Sequence, residues 1–249
     1  MIRRLSKIAG ISALIAFLVI TLAFTSAKYN EAPCSRIEIE YEPEDVISID
    51  KAVIRNIITS ADKDILGKHF DAINTASLEL EVEKQAAVLN AEVIEMVERD
   101  SSSYKGVLTV RVKHRDPIVR VYNRSGSYYL DEFGYKFPVT GTYPANVLLV
   151  TGNVDEKFAR EKLLPCIRYI ENDDFWKAQI EQVHVENDGN IILTPLFGHH
   201  LIEMGTTDDF ELKLRNMKTF YKKVLANNNW NKYETISLKY KDQIVAKRK

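Results

Sequence analysis

Cysteine, proline and glycine are scarce in this chain, at 2, 7 and 10 of 249 residues. Each shortage excludes something. Two cysteines cannot staple a small disulfide scaffold, and so few prolines and glycines exclude a collagen-like or low-complexity chain. The 34 Lys+Arg and 35 Asp+Glu leave a formal net charge of −1, so the basic footprint that nucleic acid requires is missing. The sequence also has no GxSxG nucleophile elbow, no P-loop and no HExxH helix.

What the sequence does have is an apolar run. From Ile8 to Ala27 there is no ionisable side chain, and Arg3, Arg4 and Lys7 stand just before it. At a helical rise of about 1.5 Å per residue, that stretch covers the roughly 30 Å hydrocarbon core of a bilayer. The positive-inside bias then leaves residues 1–7 in the cytoplasm and carries everything after Lys28 across. A cleaved signal peptide is the rival, with Thr25 and Ala27 forming a weak cleavage site, but its apolar core is shorter, at about 7 to 15 residues. A lipoprotein is disfavoured because Glu31, Ala32 and Pro33 precede Cys34. An oxidising compartment permits a Cys34–Cys166 disulfide, yet one cysteine lies beside the membrane and the other far along the chain. Two free or unrelated thiols are expected.

Periodicity gives the rest. Arg36 to Tyr41 alternates as a half-buried strand. A helix follows with Ile49, Val53, Ile54, Ile57 and Ile58 on one stripe and Ser48 or Asp50 as its cap, and Gly67 breaks the chain. A second helix runs from Asn74 or Thr75 to about Leu89, burying Leu78, Val82, Ala86 and Leu89; its Glu and Lys face reads as solvated. Ala91–Arg99 and Gly106–Arg115 form a hairpin. Beyond Pro117 come short strands at Ile118–Tyr122, Ser127–Asp131, Lys136–Val139 and Val147–Thr151. Then follow a helix over Asp155–Glu171 weakened by Pro165, and strands at Ile180–Glu186, Asn190–Thr194 and Leu201–Met204. A long helix over Asp208–Ala226 is capped by Thr207 or Asp208. Thr235–Tyr240 alternates as a terminal edge strand, and Ile244–Ala246 adds one more after a turn. The fold class is α+β: an apolar helix at residues 8–27, a linker at 28–33, a small β-α-α-β-β domain at 34–116 and a mixed, β-rich domain with flanking helices at 117–249.

Reactive constellations are few. His199, His200 and Glu203 have metal-ligand chemistry, but adjacent histidines on a strand point to opposite faces. His114-Arg115-Asp116 imitates the start of a kinase catalytic loop, yet Val121 stands where its Asn belongs. No catalytic, cofactor or metal residue is assigned, and no small-molecule substrate. A Cys34 or Cys166 nucleophile would need a His partner that sequence cannot place. The candidate site is instead a sheet margin. An exposed final strand ending in Lys247-Arg248-Lys249 suits the addition of an acidic partner's strand, and equally suits an edge blunted by lysines against aggregation.

The small domain resembles a POTRA domain, and nearly the whole chain resembles the bacterial division family FtsQ/DivIB. The resemblance rests on Arg115-Asp116-Pro117, on the stretch from Tyr129 to Pro138, on Leu149-Val150-Thr151-Gly152, on Phe175-Trp176-Lys177-Ala178-Gln179-Ile180, on Gly198 to Gly205 leading to Lys213-Leu214, and on Ile236-Ser237-Leu238-Lys239-Tyr240. It implies a non-enzymatic scaffold of the cytoplasmic (inner) membrane at the division septum. Such a scaffold binds FtsB-like and FtsL-like proteins and helps control septal peptidoglycan synthesis. It also implies that a partner strand docks on Thr235, Ile236, Ser237, Leu238, Lys239, Tyr240, Ile244, Val245 and Ala246. POTRA domains also occur in envelope assembly and secretion factors, but those continue into a long barrel that does not follow here. A membrane-anchored envelope hydrolase is a third reading; it would need polar groups converging around His184, His199, His200 or Cys166.

Overall fold

The computed structural model describes residues 11–22, 32–100, 103–139, 144–225, 231–240 and 243–249. Residues 11–22 are helical and expose Leu14, Phe17, Leu18 and Ile20 alike. The remainder of the 8–27 span lies outside the described residues. Among those described, no helix is long and apolar enough to cross a membrane. The chain divides into two compact units, Met1–His114 and Arg115–Lys249.

The first unit holds β1 (Cys34–Tyr41), α1 (Lys51–Ala61), α2 (Thr75–Glu83), β2 (Val88–Asp100) and β3 (Ser103–His114). β3 is central, parallel to β1 and antiparallel to β2. Asp50, not Ser48, caps α1 by accepting from Ala52 N–H, and Asn74 caps α2 by accepting from Ser77 N–H. Ile54, Ile58, Leu78 and Val82 are buried on these helices, as are Leu108, Val110 and Val112 on β3. Each such side chain contributes about 1.5 to 3 kcal/mol by leaving water. α2 stops at Glu83 rather than near Leu89. A turn closes with Gln85 N–H on Val82 O and Val88 N–H on Gln85 O, and the long ladder with β3 then draws Val88 onward into β2. Leu89 is left exposed.

His114, the first member of the kinase-like tripeptide, is a brace. Its Nε2 accepts from Ile49 N–H at 3.0 Å, so the ring proton sits on Nδ1 and is donated to Asp45 Oδ2 at 2.6 Å. Both side chains are buried, and together they pin the loop between β1 and α1.

The second unit is a nine-stranded mixed sheet. Its strands are β4 (Pro117–Asn123), β5 (Gly126–Asp131), β6 (Lys136–Pro138), β7 (Leu148–Gly152), β8 (Ile180–Val185), β9 (Ile191–Pro195), β10 (Leu201–Gly205), β11 (Tyr233–Ser237) and β12 (Val245–Arg248). Across the sheet they run β12-β11-β10-β9-β8-β7-β4-β5-β6. Pro117 does not interrupt the chain but opens β4, the strand position where a missing N–H is tolerated.

Between β7 and β8 the chain makes α3 (Glu156–Phe158), a π-helical segment over Ala159–Leu163, α4 (Leu164–Asn172) and α5 (Asp174–Gln179). Pro165 has no N–H to give to the preceding turn. The helix survives it by widening just before, where Leu164 N–H reaches Ala159 O. α5 is an element that periodicity missed, because six residues are too few to repeat a stripe. Asp173 caps it through Phe175 and Trp176 N–H, which buries Trp176 completely. Lys218 binds both Asp173 oxygens at 2.8 and 2.7 Å and holds that carboxyl below its usual range. α6 (Phe210–Phe220) starts from Asp209 in the left-handed region at φ 51°, without the side-chain cap expected of Thr207 or Asp208, and passes into a π-helical segment over Tyr221–Leu225. Leu163, Ile167, Ile170, Trp176, Leu214 and Met217 from these helices join Val121, Val150, Val183, Leu193, Ile202 and Ile236 in one core.

Cys34 and Cys166 are free and buried. Burial pushes the Cys166 thiol up to about 12 and raises Cys34 as well, so both are protonated at neutral pH. His200 is buried with Nε2 at 2.8 Å from Tyr221 Oη, whereas His199 is exposed, and both lie in the bend that leads into β10 rather than on a strand.

Candidate docking margin of the large sheet

An open sheet has two margins. β6 is three residues long and ends in Pro138, which offers no N–H, and Lys136 is drawn to Glu156 at 2.9 Å. The other margin is β12. It pairs antiparallel with β11 only, matching Thr235 with Lys247, Ile236 with Ala246 and Ser237 with Val245.

The register tells which backbone groups are spoken for. Lys249 N–H donates to Lys232 O at 3.2 Å, so it faces inward. Donors alternate sides along a strand, so Lys247 and Val245 also face β11, while Ala246 and Arg248 turn their N–H and C=O outward. On the side-chain level, Ile244 and Ala246 pack against the core, whereas Val245, Lys247 and Arg248 are exposed. Lys247 meets Glu234 at 2.7 Å across the ladder, a pair open to solvent on both sides and screened by it. The last three residues, Lys247-Arg248-Lys249, make this margin basic.

This placement corrects the expectation for Thr235–Tyr240. Thr235, Ile236 and Ser237 are flanked by strands on both sides, since β10 pairs with them in parallel through Leu201, Ile202 and Glu203. They present no bare margin. Leu238 has left the ladder and is buried, its N–H donating to Glu203 O, and Lys239 meets Glu203 at 3.2 Å. Tyr240 is exposed. Of the residues expected to dock a strand, Ile244, Val245 and Ala246 lie at the margin, and Lys247 and Arg248 complete it. The docking residues that the resemblance implies stop at Ala246, since Val-Ala-Lys-Arg shows no apolar alternation, although the same sequence marks Lys247-Arg248-Lys249 as the basic end of an exposed final strand. The only signal was the charge of the end itself.

Two hollows lie in the second unit. One of about 200 Å³ lies beside the start of β12, lined in part by Leu212, Lys213, Leu238, Tyr240 and Ile244. Burial lowers the Lys213 ammonium there, opposed by Asp208 and Asp209. The other, a cleft of about 950 Å³, sits where β4, β7 and β8 end and includes Tyr122, Arg124, Gly152, Asn153, His184 and Glu186. In it Gln182 Nε2 donates to Thr151 Oγ1, which in turn lies 2.9 Å from His184 Nδ1. The threonine oxygen is thereby committed on both sides. Among the described residues, no three His, Cys, Asp or Glu side chains are grouped to hold a metal ion.

The second unit thus belongs to the class of mixed-sheet domains whose helices lie against the core and whose last strand forms the margin. Residues 116–247 match the family model described as FtsQ/DivIB, C-terminal related. That is over half of the chain, and the protein belongs to the FtsQ/DivIB family, a family of non-enzymatic cell division scaffolds. A role in cell division follows. No curated protein matches the sequence.

Proposed function

We propose that this chain is a single-pass division scaffold of the cytoplasmic membrane, that it takes a strand of an FtsB-like partner along β12, and that with an FtsL-like protein it helps control septal peptidoglycan synthesis. The observation that carries the reading is the register of β12, which leaves the outward N–H and C=O of Ala246 and Arg248 for another chain on a basic, solvent-exposed margin. Main-chain bonds of that kind supply affinity in strand addition, and the alternating side chains supply selectivity.

Membership of the family supports the division role. Support for the membrane anchor comes from residues 8–27, which carry no charge and follow Arg3, Arg4 and Lys7, and from residues 11–22, whose helix has almost no buried side chain. Such a helix is stable only where its surroundings are as apolar as it is. Residues 1–7 then form the cytoplasmic tail, 28–33 a linker, 34–116 a POTRA-like domain and 117–249 the docking domain. The order β-α-α-β-β with a β1-β3-β2 sheet supports the POTRA reading.

The test is depletion in growing cells, scored by microscopy. Filaments with unclosed septa at regular spacing are expected. Cells that divide at normal length without the protein contradict the scaffold.

A further inference from the structure

β4, β7 and β8 run parallel, side by side, and end at Asn123, Gly152 and Val185. Beyond those ends the connections part. After β4 the chain turns back into β5 on one side, while after β7 it passes through α3, α4 and α5 to reach β8 on the other. Neighbouring parallel strands whose onward connections leave in opposite directions keep a crevice open at their carboxyl ends, where open sheets take ligands. The cleft of about 950 Å³ lies there.

Its lining carries both signs of charge, on different strands. Arg124, in the turn after β4, is exposed and meets no carboxylate among the described residues. Tyr122, two residues before it, is 58% exposed. On β8, Thr151 Oγ1 of the neighbouring strand accepts from Gln182 Nε2 and lies 2.9 Å from His184 Nδ1, so the threonine's own proton goes to that nitrogen and the ring proton sits on Nε2. That N–H has no partner among the described residues. The turn after β8 supplies two acids. Glu186 Oε2 accepts from Asn190 Nδ2 and Asp188 Oδ1 accepts from Asn190 N–H, which leaves one oxygen of each carboxylate for a ligand. Only β7 separates β4 from β8, so strand spacing sets the two turns about 10 Å apart.

A ligand complementary to this cleft has an anion at one end, a hydrogen-bond acceptor in the middle and a cation at the other. A single amino acid holds its two charges too close together. A chain of about three residues, at roughly 3.3 to 3.6 Å each, covers the distance. We propose that the cleft binds a short peptide with both termini free, its carboxylate on Arg124, a peptide carbonyl on His184 Nε2, its ammonium on Asp188 and Glu186, and an apolar C-terminal side chain against Tyr122. The guanidinium fork matches a carboxylate in two parallel bonds. The site is independent of the docking margin, since none of its residues belongs to β11 or β12.

The full chain in detergent micelles, titrated with the tripeptide alanyl-alanyl-phenylalanine and followed by calorimetry and by NMR of the His184 ring, tests this. The free tripeptide is expected to shift the His184 signals and to bind about fivefold or more tighter than its C-terminal amide, its N-acetyl form or trialanine. Arg124→Gln removes the preference for the acid over the amide. Asp188→Asn with Glu186→Gln removes the preference for the free amine, and both new side chains keep an oxygen for Asn190. Tyr122→Ala removes the preference for phenylalanine over alanine. Each variant keeps the other two preferences, a pattern that mere loss of folding cannot produce. Equal binding of the four peptides, no shift at His184, shifts confined to Lys247–Lys249, or a variant that retains the preference assigned to it overturns the proposal.

Discussion

Ala246→Pro is expected to leave the chain folded and to abolish capture of an FtsB-like partner. The ring removes an N–H that faces away from β11, so no bond of the native ladder is lost. Proline is tolerated at such positions on an edge, and Val245 before it is already extended, as the residue preceding a proline must be. An incoming strand, however, loses a central donor and meets the ring carbons where its own backbone should lie. A loss of about 2 kcal/mol or more is expected, which lowers affinity at least thirtyfold. Lys247→Pro is the informative companion. Its N–H faces inward, so the same substitution one residue later costs the β11–β12 ladder itself. Pull-down of the partner alongside thermal unfolding separates the two. Partner capture by Ala246→Pro equal to that of the wild type would remove β12 as the docking strand.

Gly152→Ala is expected to destabilise the second unit by about 3 to 5 kcal/mol, the sum of backbone strain and overpacking. Gly152 sits at φ +99°, and a Cβ built there would lie 2.1 Å from Val185 O and 3.0 Å from His184 Cε1. Val185 O belongs to the neighbouring strand and already accepts from Asn153 N–H at 2.8 Å. Neither backbone can retreat without opening the parallel β7–β8 pair. Gly189→Ala is the control. Its φ is +84° with nothing within 4 Å of the added carbon, so only the conformational cost of about 1 to 2 kcal/mol applies. Thermal unfolding of the full chain should show a drop of roughly 10 °C or more for the first and only a few degrees for the second.

The glycine of Leu149-Val150-Thr151-Gly152 was visible in sequence as part of a family resemblance, but its reason was not. It rests on how closely one strand approaches another, which no local pattern encodes. The alternating strands were legible because one face of each meets a core: Ile37 and Ile39, and Val119 and Val121, are buried with a period of two, while the central β3 buries Leu108, Val110 and Val112 but also Thr109 between them. Capping was legible at Asp50, one of two candidates before the first helical stripe, whereas Asn74 reads in sequence only as one place where the second helix could open.

Three features escaped for physical reasons. α2 was drawn too long because Val82, Ala86 and Leu89 fit a helical stripe, and only the twelve-residue ladder with β3 decides that Leu89 is extended. Glu79 and Glu83 of α2 accept from Val93 and Ala91 N–H at 2.8 and 3.2 Å, where the sequence shows only a solvated face, since a carboxylate accepting a distant N–H has no local signature. The sequence spreads the margin of the large sheet over Thr235–Tyr240 and Ile244–Ala246, and only the second stretch lies on it. Thr235 to Ser237 lie between two strands and Ile236 and Leu238 are buried, whereas the true edge, Val245–Arg248, is polar because it is exposed. The clearest strand pattern near the end thus marked an inner strand.

The most direct test of the docking claim is residue-resolved amide exchange of the full chain in micelles, with and without the extracytoplasmic segment of an FtsB-like partner. The account predicts that Ala246 and Arg248 amides slow on binding while the already paired Val245 and Lys247 change little. Protection that appears at β6 or elsewhere, with Ala246 and Arg248 exchanging as before, would contradict it.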